Sequence, residues 1–223
     1  MYFEFGIPSQ VIFGSGCIKN IGQVVSDLAA TKVLLVYDKG VKQAGIVDKV
    51  TSYLKENNVK IVQYSKVVPN PPDTILEEGA TLAKNENIDV IVAVGGGSSI
   101  DAAKAINVLI TNPGPISSYD GINKVKNPVK PLIAIPTTAG TGSEVTSVTV
   151  ITDTVRKKKM VIAGHHCGAA IALVDPELTV GLTPAITAST GLDALTHAIE
   201  SYVSKFASVP SELNSLKAIE LIY

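Results

Sequence analysis

Apolar residues along this chain follow two rhythms that take turns. Continuous apolar runs occur at 33–37, 61–62, 91–94, 132–135 and 170–174, and the run at 91–94 is mostly β-branched, the pattern of a strand buried on both faces. Segments with apolar positions three or four apart separate the early runs. They are Ile18, Ile21, Val24, Val25 and Leu28; Ile46, Val47, Val50, Tyr53 and Leu54; and Ile75, Leu76, Ala80, Leu82 and Ala83. Such alternation predicts an α/β fold: a parallel sheet with helices on both faces and ligands at its carboxyl edge. Residues 2–5 and 11–13, parted by Pro8 and Ser9, predict an edge hairpin, and 145–151 with 159–162 predict a β-ribbon. Residues 111–131, rich in glycine, proline and asparagine, read as a loop. From Thr183 the pattern is helical only, with Pro184 at a first turn, a stripe of Leu192, Leu195, Ile199 and Val203, and another of Leu213, Leu216, Ile219 and Ile222. The expected division is an α/β domain at 1–182 and the first helices of a second domain at 183–223.

The candidate chemistry centres on residues 89–110, DVIVAVGGGSSIDAAKAINVLI, a strand, a glycine turn and a helix start in one run. Gly95, Gly96 and Gly97 let a ligand approach the backbone, and Ser98 or Ser99 is expected to cap the helix. Free amides and the positive helix end then favour an anion such as a pyrophosphate. The glycines alone fit a bare strand-to-helix turn equally well. Gly14-Ser15-Gly16 is a weaker echo, because the third glycine of a dinucleotide fingerprint is replaced by Lys19. Asp38 ends the run at 33–37, where an acid can bond a ribose and repel a 2′-phosphate, favouring NAD over NADP. The same residue suits a cap on the turn at Lys39 and Gly40. Residues 137–144, TTAGTGSE, put hydroxyls and glycines at the same sheet edge, suiting the nicotinamide half of a dinucleotide. Asp193 and His197, four apart on one helix face, can offer a carboxylate and an imidazole to a divalent cation or simply bond each other.

Composition narrows the classes. The chain has 223 residues, 46% hydrophobic, with a net charge of −1, so a sizeable core is expected and nucleic-acid binding is not. No apolar run reaches the roughly 18 residues of a membrane span, and MYFEFGIPSQ is no leader, so a cytoplasmic protein is expected. Cys17 and Cys167 form neither a disulfide framework nor a thiolate metal site, and His165 and His166 have no carboxylate at ligand spacing.

Four motifs, GGGSSID at 95–101, PTTAGTGSE at 136–144, DPELT at 175–179 and GLDALTHAIESYVS at 191–204, resemble those of the iron-containing, group III alcohol dehydrogenases. The resemblance covers essentially the whole chain. It implies a nucleotide-binding α/β domain followed by an all-helical metal-binding domain, with nicotinamide and metal in the cleft between. Residue by residue, it implies Asp193 and His197 as metal ligands, for Fe²⁺ or alternatively Zn²⁺. Gly96, Gly97, Ser98 and Asp101 would lie at the pyrophosphate loop, and Asp38, Asn70, Thr137, Thr138 and Lys159 would make the other NAD contacts. The implied activity is interconversion of a primary alcohol or diol and its aldehyde with NAD(H), in complete enzymes expected to be homo-oligomers. A zinc-dependent polyol dehydrogenase and a non-catalytic dinucleotide-binding remnant are the alternatives. The family's two later histidine ligands have no counterpart here, and the last stripe runs to Tyr223 without a stop signal, so the chain reads as C-terminally truncated.

Overall fold

The structure, a computed structural model, describes residues 5–223. Its elements run β1 (Gln10–Phe13), α1 (Ile21–Asp27), β2 (Lys32–Asp38), α2 (Lys39–Gln43), α3 (Ile46–Glu56), β3 (Lys60–Val67), α4 (Asp73–Asn85), β4 (Val90–Gly95) and α5 (Gly97–Thr111). Then follow β5 (Gly121–Ile122), β6 (Leu132–Pro136), β7 (Val148–Asp153), β8 (Lys158–Ala163), β9 (Ile171–Val174), α6 (Pro184–Val203) and α7 (Val209–Ile222).

Six strands form one parallel sheet in the order β1-β9-β6-β4-β2-β3. Strand alternation sends Leu34, Val36, Ile91 and Ala93 to a core shared with α4 and α5, and Val33, Leu35, Val90 and Val92 to a core shared with α1 and α3. Both faces are therefore dry, which is why the central strands read as unbroken apolar runs. After β2 the chain passes to β3 on one side and then returns to β4 on the other. That reversal opens a crevice between the carboxyl ends of β2 and β4, where Asp38 and Gly95 stand.

Several expectations change. Of the first half of the expected hairpin, residues 2–5, positions 2–4 lie outside the described residues, and its second half, β1, pairs in parallel with β9 across some 160 residues of chain. The ribbon of β7 and β8 is antiparallel as expected, but β8 also takes β5 as a parallel partner, making a separate three-stranded sheet. Residues 111–131 are thus not all loop, since they hold β5 and a 3₁₀ turn at Ile116–Tyr119. The helix predicted from the first stripe begins as a 3₁₀ turn, Cys17–Asn20. Lys39 and Gly40 open the short helix α2 rather than a simple turn.

α6 starts at Pro184, the expected first turn, behind Thr183, whose side chain caps the Ile186 amide. α6 and α7 pack mainly on each other, and each buries one residue, Ala198 and Ser215. No helix among the described residues is long and apolar enough to cross a membrane.

Candidate functional site

The glycine turn is built by close approach. Gly95 has φ of 149°, a conformation rare for residues with side chains, and a Cβ there would sit 2.5 Å from Ser99 Oγ. Gly96 is the N-cap of α5 and uses no side-chain cap, which corrects the expectation for Ser98 and Ser99. Ser99 instead reaches across the crevice and donates its hydroxyl to Asp38 Oδ2 at 2.9 Å. The other Asp38 oxygen accepts the Val41 amide at 3.1 Å and caps α2. Asp38 thus performs the local capping role while standing at the switch point.

The threonine loop lies directly over this turn. Thr137 donates its amide to the Gly95 carbonyl at 3.0 Å. A Cβ on Gly96 would come within 3.2 Å of Thr138 Oγ1, and one on Gly97 within 2.8 Å of Thr141 Cγ2. The two loops that the sequence suggested separately are one assembly. The Ser99 and Ile100 amides both bond the Gly96 carbonyl, whereas the Gly97 and Ser98 amides ahead of them have no preceding turn to supply an acceptor, so this edge keeps donors for an anion.

Beside it opens a cleft of about 500 Å³, lined by seven of the expected site residues: Asn70, Gly97, Ser98, Asp101, Lys159, Asp193 and His197. Asp38, Gly96, Thr137 and Thr138 stand behind or beside the cleft rather than in its lining. Asn70 adopts φ of 52°, which asparagine tolerates, and its amide faces Ser98 Oγ at 3.4 Å. A shallower concavity of about 360 Å³ between α4 and the end of α5 contains none of these residues.

Asp101 lines the cleft beside Gly97 and Ser98, and both of its carboxylate oxygens are used within the protein. Oδ1 accepts the Ser143 hydroxyl at 2.5 Å and Oδ2 the Val150 amide at 3.0 Å. Burial pushes its pKa up. Its carboxylate braces the cleft wall against α5.

Sequence reading missed Lys104, which is 2% exposed one turn further along α5. Burial lowers its pKa to about 8, against the pull of Asp101, Glu144 and Cys167. The available signal was a lone lysine between Ala103 and Ala105 on a helix that is apolar almost all round. The Gly14-Ser15-Gly16 echo is not a ligand site, since the buried Asp175 carboxylate accepts its Gly16 amide at 3.0 Å and the Ile18 amide at 3.4 Å. An internal anion occupies that turn.

Asp193 and His197 share one face of α6 and both line the cleft, with Oδ1 and Nε2 3.9 Å apart and both side chains about half exposed. Oxygen and nitrogen donors suit Fe²⁺ or Zn²⁺, but a catalytic divalent site needs at least three protein ligands. No group of three or more such donors exists among the described residues. The pair fits part of a ligand set and does not complete one.

Comparison with known proteins identifies relatives of this chain. A family profile described as iron-containing alcohol dehydrogenase matches residues 8–176. A choline dehydrogenase of Bacillus subtilis is 46% identical over 98% of this chain and 55% of its own length. An NAD-dependent methanol dehydrogenase of Bacillus methanolicus is 42% identical over 98% of this chain and 58% of its own. The crystal structure of a 1,3-propanediol oxidoreductase superposes with a TM-score of 0.96 at 40% identity, covering all of this chain and 58% of that one. The chain therefore spans a little over half the length of these relatives.

Proposed function

The chain belongs to the iron-containing alcohol dehydrogenase family, and from that premise we propose that it is the dinucleotide-binding part of an oxidoreductase that interconverts a primary alcohol or diol and its aldehyde with NAD(H). In this reading residues 1–182 bind the cofactor and residues 183–223 begin the helical metal-binding domain. The observation that carries it is the meeting of Asn70, Gly97, Ser98 and Lys159 with Asp193 and His197 in one cleft beside the topological switch point.

The Gly96, Gly97 and Ser98 amides and the α5 dipole would hold the diphosphate, with Lys159 adding a positive charge. Asp38 would contact the adenosine ribose, and Thr137 and Thr138 the nicotinamide half. A bound nicotinamide would supply the acceptor for the hydride in alcohol oxidation and its donor in the reverse direction. Asp193 and His197 supply two ligands for Fe²⁺, or alternatively Zn²⁺. When bound with its remaining ligands, such a cation acts as a Lewis acid on the alcohol oxygen.

A fluorescence titration with NADH tests the proposal. Saturable binding is expected, and Gly97→Val should abolish it while the far-UV circular dichroism stays largely unchanged, because the atoms nearest to an added Cβ all belong to the Thr141 side chain. Equal affinity in the variant would remove the cradle from the reading. A second reading, a polypeptide that holds a dinucleotide without turnover, is favoured by the two-member donor set. An alcohol oxidation assay separates the two.

A further inference from the structure

Burying a lysine among alanines and isoleucines is unfavourable unless its ammonium finds partners, and a methionine would fill the same space at lower cost. Lys104 Nζ has four acceptors: Val148 O at 2.8 Å, Thr146 O at 2.9 Å, Thr146 Oγ1 at 3.2 Å and Ser143 Oγ at 3.3 Å. All four lie on residues 143–148, the approach to β7. Ser143, Thr146 and Val148 line the cleft together with Gly97 and Ser98 of α5, the helix that carries Lys104. One side chain from α5 therefore gathers the wall beside its own amino-terminal turn. Asp101, one helical turn earlier, holds the same wall through Ser143 and Val150, so the segment is gripped by a cation and an anion together.

We infer that Lys104 is a positioning residue for the dinucleotide, its ammonium holding the 143–148 wall at the width that lets the diphosphate reach the Gly97 and Ser98 amides. The inference rests on the dinucleotide reading above. It also gives the site a pH response, because loss of the Lys104 proton turns a multiple donor into an amine and releases part of the wall. The ionisable groups facing Lys104 are Asp101 from its own helix, Glu144 from the turn before β7 and Cys167 from the loop before β9. Burial raises the pKa of all three.

The test is NADH titration of the whole chain and of Lys104→Met between about pH 7 and about pH 9.5. At neutral pH the variant should bind about tenfold more weakly, the usual scale for losing hydrogen bonds to a charged donor. Wild-type affinity should fall as pH rises through about 8 and approach that of the variant, whose own affinity should stay level. A pH dependence that persists unchanged in Lys104→Met belongs to the other groups and overturns the inference, as does equal affinity at neutral pH. Should the variant misfold, the wild-type profile decides, and a flat one overturns the inference. Absence of NADH binding by the wild type at every pH would overturn the dinucleotide reading as well.

Discussion

Gly140 meets Thr190 at a separation that leaves no room for a side chain: a Cβ on Gly140 would stand 2.6 Å from the Thr190 carbonyl oxygen and 2.9 Å from its Cβ. The reason is space rather than a special backbone angle. Through this contact the threonine loop, which covers the glycine turn, also seats α6 one turn before Asp193. Gly140→Ala is expected to destabilise the chain by about 1–3 kcal/mol, the usual cost of overpacking against backbone. Urea unfolding would measure it, and hydrogen exchange should show the loss concentrated in the first half of α6. Unchanged protection there would mean that the loop does not seat the helix.

Asp38 stands at the ribose position in the proposed complex, so a 2′-phosphate would meet its charge. NADPH should bind more weakly than NADH by about 2–4 kcal/mol in the wild type. Asp38→Gly should narrow that gap while also weakening the α2 cap by about 1 kcal/mol or less. Paired titrations with both cofactors test this, and equal wild-type affinities would leave Asp38 with its capping role alone.

Asp193 and His197 provide two donors where a catalytic ion needs three or more. The 223-residue chain is therefore expected to oxidise 1,3-propanediol with NAD no faster than a His197→Ala control, even with added Fe²⁺ or Zn²⁺. Turnover above that control would mean that a second copy of the chain completes the site.

Asp89 accepts the Thr31 amide and hydroxyl and the Lys32 amide, which together hold its pKa below the ordinary value. Its folded form thus favours the carboxylate. The associated stability is present above the ordinary value of 3.8 and is lost as pH falls through the lowered one. Asp89→Asn should cost about 1 kcal/mol at neutral pH, discounted for solvent screening, and should flatten the acid limb of the stability profile. An unaltered acid limb in urea unfolding would contradict the assignment.

The central strands β2, β4 and β6 were legible in sequence because helices cover both of their faces and every position along them must be apolar. The edge was not legible. Val11 and Phe13 mark β1 as a strand, but its partner β9 lies far along the chain, and no local pattern names a partner. The same limit applies to the serines after the glycine turn. Their composition suggests a cap, whereas Ser99 bonds Asp38 because the parallel pairing of β2 with β4 brings their carboxyl ends together.

The sequence by itself determined the α/β class, the glycine and threonine loops, and the Asp193 and His197 spacing. These depend on local periodicity, on glycine's backbone freedom and on helix geometry, all carried by neighbouring residues. Tertiary structure alone decided that the two loops form one assembly, that Asp101 and Lys104 grip a single wall, and that Gly140 seats α6. Each is a contact between segments remote in sequence, where shape and hydrogen-bond partners are set only once the sheet order has brought them together.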